Sequence, residues 1–183
     1  GGGGWAGWWD PGPAVRRAVP GVAGAPGRAL RYATNPRPSG LDAALVNGPA
    51  APGLDYDDVA ASMGGHPSAV LVAPLIALGE MTNASGRDLA LAYVVGFETE
   101  CRIGRGVHFH HYEKGWHPTA TLGIFGTVAA AARLLHLTPE VTAVALGMAA
   151  SFASGLKANF GTMTKPLHVG HTVRDGIFAA LMA

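Results

Sequence analysis

With 183 residues, 49% of them hydrophobic and 14% charged, the chain has enough apolar surface for one sizeable core, which excludes disorder as a description of the whole. A formal net charge of +1, with thirteen Lys and Arg scattered along the chain, leaves no basic field to hold a phosphate backbone and excludes nucleic acid as a partner. Cys101 is the sole cysteine, so an internal disulfide framework, a cysteine-rich zinc site and an iron-sulfur cluster on this chain's own cysteines are excluded, and a reducing cytoplasm is expected.

In chain order, "GGGGWAGWWDPGP" lacks the basic-then-apolar order of a signal peptide. Residues 1–39 are rich in Gly and Pro and predict no sustained element beyond a short helix around "AVRRAV". From Gly40 the punctuation becomes regular: "GLDAALVNG" predicts a short helix stopped at Asn47 and Gly48, and Pro67 opens a helix reaching about Glu80. Ser85 with Asp88 three residues on forms a capping box for a helix to Gly104 or Gly106. "HPTATLGIFGTVAAAARLLHL" predicts a further helix, joined by a tight turn to one capped by Thr138, with Pro139 and Glu140 in its first turn and Gly155 as its stop. "FGTMTKPLHVGH", residues 160–171, is expected to be a loop, and "TVRDGIFAALMA" a helix opened by Thr172 with Asp175 three residues on. Met148, Phe152, Met163 and Phe178 are expected in the core. No stretch alternates with period two, so the expected fold class is all-α, a multi-helix bundle. The longest apolar runs are too short to span a bilayer, so no membrane partner is expected, and both ends read as cut from a larger protein.

Titratable groups cluster at four places. His66 and His117 each precede a proline, which favours extended backbone for the histidine and the first helical turn for the proline, so both imidazoles are expected at helix caps. Amides and the positive dipole end there favour an anion such as a carboxylate and lower the pKa of a nearby histidine. As plain punctuation the two imidazoles would be solvated; as a matched pair they would be halves of one site. Asp55, Asp57 and Asp58 in "LDYDDV" read either as a solvated turn or, for Asp55, as a carboxylate that orients an imidazole. Lys165 reads as surface or as a clamp on a substrate carboxylate, a pairing worth about 4 kcal/mol at 4 Å and an effective dielectric near 20, before desolvation. The cluster "HFHHYEKGWH" carries His108, His110, His111 and His117, but their spacing matches no known zinc pattern, and the segment is expected to line or cover a pocket.

The series "ALVNGPAAPGLDYDDV", "HPSAVLVAPLIALGE", "GRDLALAYVVGFETECRIG", "GWHPTATLGIFGTVAAAARLL", "ALGMAASFASGL" and "FGTMTKPLHVG" resembles the 2-methylcitrate dehydratase and cis-aconitate decarboxylase family, MmgE/PrpD, from about residue 40 to the end. The resemblance implies that residues 40–183 are a portion of a large helical domain, with the family's α/β lid domain absent. It also implies a cytoplasmic homodimer and a lyase that needs no cofactor and acts on a small di- or tricarboxylate. Carried over residue by residue, it implies a pocket of Asp55, His66, His117 and Lys165, with Thr164, His168 and Thr119 nearby as substrate-binding positions. Dehydration of the 2-methylcitrate type is the leading activity; decarboxylation of cis-aconitate, epimerisation of an imino dicarboxylate and a non-catalytic dimerisation module are the alternatives. The chain departs from the family pattern at Pro52, where a histidine usually stands, and by an apparent extra residue around "MGG".

Overall fold

The computed structural model describes residues 39–50, 57–107 and 109–183, so Asp55, Pro52, His108 and the amino-terminal helix expected around "AVRRAV" lie outside the described residues. The elements are α1 (Gly40–Asn47), a 3-10 turn (Gly48–Ala50), α2 (Pro67–Thr82), α3 (Gly86–Val107), α4 (His110–Glu113), α5 (Pro118–Thr121), α6 (Gly123–Leu134), α7 (Pro139–Phe152), a 3-10 turn (Lys157–Asn159) and α8 (Thr164–Met182). Among the described residues, extended pairing is limited to two isolated bridges, so the fold is all-α as expected. No helix among them is long and apolar enough to cross a membrane.

The sequence explains most boundaries. Ser39 caps α1, its Oγ accepting from Asp42 N–H at 3.2 Å and donating to the Asp42 carboxylate at 2.8 Å. Ser85 and Asp88 repeat the device ahead of α3, at 3.2 and 2.6 Å. Thr138 Oγ1 accepts from Val141 N–H at 3.3 Å at the start of α7. Helix α2 runs two residues beyond Glu80 and stops where Asn83 turns left-handed, φ 55°, a conformation that asparagine tolerates better than most residues.

Helix α2 is the central rod. Its residues are apolar almost throughout, and Val70, Leu71, Leu75 and Leu78 are buried against α1, α3, α6 and α8. Pro74 sits inside it and brings no N–H, so the carbonyl of Val70 loses its helical donor. Buried Thr127 of α6 replaces it: its hydroxyl donates to Val70 O at 2.8 Å. Helices α3 and α6 approach closely through Gly96 and Gly126. A Cβ on Gly96 would lie 2.8 Å from Gly126 O, and one on Gly126 would collide with the Glu100 carboxylate.

The carboxyl-terminal helix corrects the sequence reading. It begins at Thr164, so residues 164–171 are helix and not loop, and Thr172 lies in its interior. Pro166 falls in the first turn, where a missing N–H costs nothing, so the Thr172–Asp175 spacing was a false cap signal. Thr172 is buried with its hydroxyl donating to Ala120 O at 3.4 Å, while Asp175 pairs with His171 one turn earlier at 3.0 Å. Met163 is exposed, outside the core expected for it; Phe178 is 39% exposed, its ring against Phe152. Met148 and Phe152 do pack, against Ile124, Val128, Ala145 and Ala149.

Candidate functional site

His66 and His117 stand at the N-caps of α2 and α5, each followed by proline in the first helical turn, as their spacing predicts. Neither uses its side chain as a cap, which leaves both imidazoles for other contacts. The two starts are tied together: His66 N–H donates to Thr119 Oγ1 at 3.1 Å, and Gly65 packs on the same residue so closely that a Cβ there would lie 2.9 Å from Thr119 N. Thr119 is 1% exposed, and its hydroxyl oxygen accepts the bond that joins the two helix starts.

His117 is 3% exposed. Its position is set by a short antiparallel register in which His117 N–H donates to Gly155 O at 3.0 Å and Lys157 N–H to Gly115 O at 2.8 Å. Gly155 has φ 131°, and a Cβ there would meet Ala120, His117 and His168 at 3.0 to 3.5 Å, so the backbone can pass here only as glycine. The His117 Nδ1 lies 3.1 Å from His168 Nδ1, and one of the two must donate and the other accept. Burial, helped by the charge of nearby His171, holds His168 below the usual histidine range. His171 itself is raised, first by its hydrogen bond with Asp175.

Phe160 completes this part of the site. Its ring meets His117 edge-on at 4.9 Å, and the Lys165 ammonium sits 5.4 Å from its centroid. His117, His168, Phe160 and Lys165 are therefore assembled from three segments, and the first turns of α8 supply two of them. Thr164, the other predicted position there, opens α8, its N–H donating to Thr162 Oγ1 at 3.2 Å.

At the other start, the turn from Ala60 to Gly65 is closed by Ala60 N–H donating to Gly65 O at 3.0 Å, which delivers His66 to its cap position. His66 Nδ1 lies 3.1 Å from the Asp58 carbonyl and 3.4 Å from the Asp57 carboxylate. The carbonyl holds the hydrogen bond and Asp57 acts through charge, since neither Asp57 oxygen has a hydrogen-bond partner among the described residues. The Asp58 carboxylate accepts from Ser68 N–H at 3.1 Å and Ser68 O–H at 2.9 Å, and Ser68 Oγ lies 2.7 Å from Tyr93 OH. Sequence reasoning gave no role to Ser68, Tyr93 or Phe160, because each acts through a partner distant along the chain.

The segment after α3 lines a cavity of about 250 Å³, with Val59, Met63, Phe109, His111, Tyr112 and Pro118 among its walls. His66, His117 and Lys165 are not among the residues lining this cavity. Burial lowers the pKa of His111, and its Nε2 lies 2.6 Å from Thr121 Oγ1. Among the described residues, no three His, Cys, Asp or Glu side chains are grouped to hold a metal ion.

Comparison with known proteins extends the picture. The chain is 39% identical over 149 residues to the cis-aconitate decarboxylase of Homo sapiens, and 32% identical over 148 residues to that of Aspergillus terreus. Each alignment covers 77% of this chain and 30% of the relative, so the chain spans about a third of the length of the curated proteins it matches. Residues 6–183 match the profile of the MmgE/PrpD N-terminal domain. A helical body carrying both His-Pro starts, together with this match over nearly the whole sequence, makes the chain a member of the MmgE/PrpD family.

Proposed function

We propose that the protein is a lyase acting on a small di- or tricarboxylate, with His117 as the proton-transfer group and Lys165 as the clamp on a substrate carboxylate. The observation that carries this is the convergence of an imidazole pair, its His117 member buried, and an ammonium around one aromatic ring, Phe160. A carboxylate drawn to Lys165 would be held within reach of an imidazole whose other nitrogen is already fixed. A positioned imidazole contributes typically 10² to 10⁴ in rate as general acid or base, and the ammonium stabilises negative charge that develops on the substrate. His66 is the second acid-base candidate, with Asp55 as the orienting carboxylate that the family resemblance implies. Thr164 and Thr119 remain proposed substrate-side positions, and the resemblance implies a cytoplasmic homodimer.

Among reactions, decarboxylation of cis-aconitate is supported by the names of the relatives, and dehydration of 2-methylcitrate by the family resemblance alone. The test is to supply the purified full-length protein with each compound and follow loss of carbon dioxide or of water by mass spectrometry. Turnover of either supports the lyase reading and selects the reaction. A folded protein that converts neither overturns it and favours the non-catalytic module.

A further inference from the structure

Hydrogen-bond accounting around His66 leads beyond the two histidines. Ser68 has one hydroxyl hydrogen, and the 2.9 Å contact with the Asp58 carboxylate takes it, because a carboxylate can only accept. The 2.7 Å contact between Ser68 Oγ and Tyr93 OH is therefore donated by the tyrosine. The chain runs one way, from Tyr93 O–H to Ser68 and from Ser68 O–H to Asp58. Asp58 also accepts from Ser68 N–H, so it serves as the cap that His66 does not supply, and the residue is pinned at both carboxylate oxygens. Its carbonyl is thereby fixed 3.1 Å from His66 Nδ1. A carbonyl only accepts, so the ring proton belongs on Nδ1, and the nearby Asp57 carboxylate favours it there too.

We propose that Asp58, Ser68 and Tyr93 are positioning residues that hold the His66 proton on Nδ1, and that the imidazole so oriented exchanges a proton with substrate. The exchange step rests on the lyase reading; the placement of the proton does not. Tyr93 comes from α3 and Ser68 from α2, so the orientation of the imidazole depends on how these two helices pack.

The test uses full-length protein labelled with ¹⁵N-histidine, with His66 assigned through His66→Gln, and reads the tautomer from the ring nitrogen shifts above the titration range. In the wild type His66 is expected as the Nδ1–H form. Ser68→Ala should move it toward the Nε2–H form and lower kcat about tenfold or more with KM little changed, and Ser68→Thr, which keeps the hydroxyl, should restore both. Tyr93→Phe should shift both in the same direction by less, and it carries the test if Ser68→Ala does not fold. A wild-type His66 in the Nε2–H form, or tautomer signals unmoved by the substitutions, would overturn the proposal. Because the nitrogen shifts need no turnover, a protein inactive on every carboxylate still decides the positioning claim while removing the lyase reading.

Discussion

Replacing His168 by leucine is the most direct probe of the imidazole pair. Only one hydrogen fits between the two Nδ1 atoms at 3.1 Å, and the rings are 5.3 Å apart between centroids. Two imidazolium charges at that separation would repel by about 3 kcal/mol at an effective dielectric of 20, so the pair carries at most one positive charge near neutral pH. Burial and His171 disfavour that charge on His168, so a neutral His168 can accept the His117 Nδ1–H. Leucine removes the acceptor and strands a donor that is buried in a residue 3% exposed. An unpaired buried donor costs about 1–3 kcal/mol. If that cost falls on the state in which His117 holds its working proton, kcat drops by about 5- to 150-fold. His168→Asn, whose side-chain oxygen can accept, should recover most of the loss. The assay is steady-state turnover of whichever carboxylate the full-length protein accepts, with KM measured alongside. A leucine variant within twofold of wild-type kcat, or an asparagine variant no better than leucine, would show that the contact does not support catalysis.

Three further outcomes follow from the packing and the titrating groups. Thr127→Val should destabilise by about 1–3 kcal/mol, because it orphans the Val70 carbonyl, and the cost should shrink in a Pro74→Ala background that restores the helical N–H; denaturant unfolding of the four proteins measures the coupling. Glu100 is wholly buried and its carboxyl is raised well above its ordinary 4.5, by burial first and then by Cys101 and Asp58. The folded state thus holds a proton that the unfolded chain releases, and stability falls as pH rises from about 4.5 toward the folded value. Glu100→Gln should remove that slope and raise stability at neutral pH, read as a melting midpoint that gains on the wild type as pH rises above about 4.5. His171, raised by Asp175, contributes stability that is present below its ordinary 6.5 and lost as pH rises through its folded value, whereas His168 and His111, both depressed, contribute stability that is lost as pH falls. The melting midpoint of His171→Gln should therefore rise relative to that of the wild type from about pH 5.5 to 8.

What the sequence made legible was local. The His-Pro starts, the Ser85 and Thr138 caps and the apolar length of α2 are each specified within a few residues, and each stands where its spacing predicts. The start of α8 was misread because Thr172 and Asp175 imitate a capping box inside a continuing helix, whereas Lys165-Pro166 looks like a break although Pro166 lies in the first turn. The partners in the site were illegible for a different reason. His168 meets His117 across 51 positions, Tyr93 meets Ser68 across 25, and Thr127 meets the carbonyl freed by Pro74 across 57. No periodicity reports such pairs, because they are chosen by the packing of helices and not by the propensity of either segment.

The recurrence of the His-Pro start has a physical sense once both caps are compared. A histidine at an N-cap offers little to the first amides of its helix, so each start needs outside support: Asp58 bonds the amide of Ser68 at the first, and the segment at Gly155 fixes the backbone at the second. In both, Nδ1 faces a defined partner, the Asp58 carbonyl or His168. The bond from His66 N–H to Thr119 then joins the two starts directly. Lys165 belongs to a third element, so its place relative to the two starts depends on the packing of α8 against α2 and α6. Small residues at that contact, such as Gly176 against Thr127, set this spacing, and a Cβ there would lie 2.6 Å from the threonine methyl. The same threonine repairs the helix that His66 opens, so one core residue both sets the spacing of α6 and α8 and completes α2.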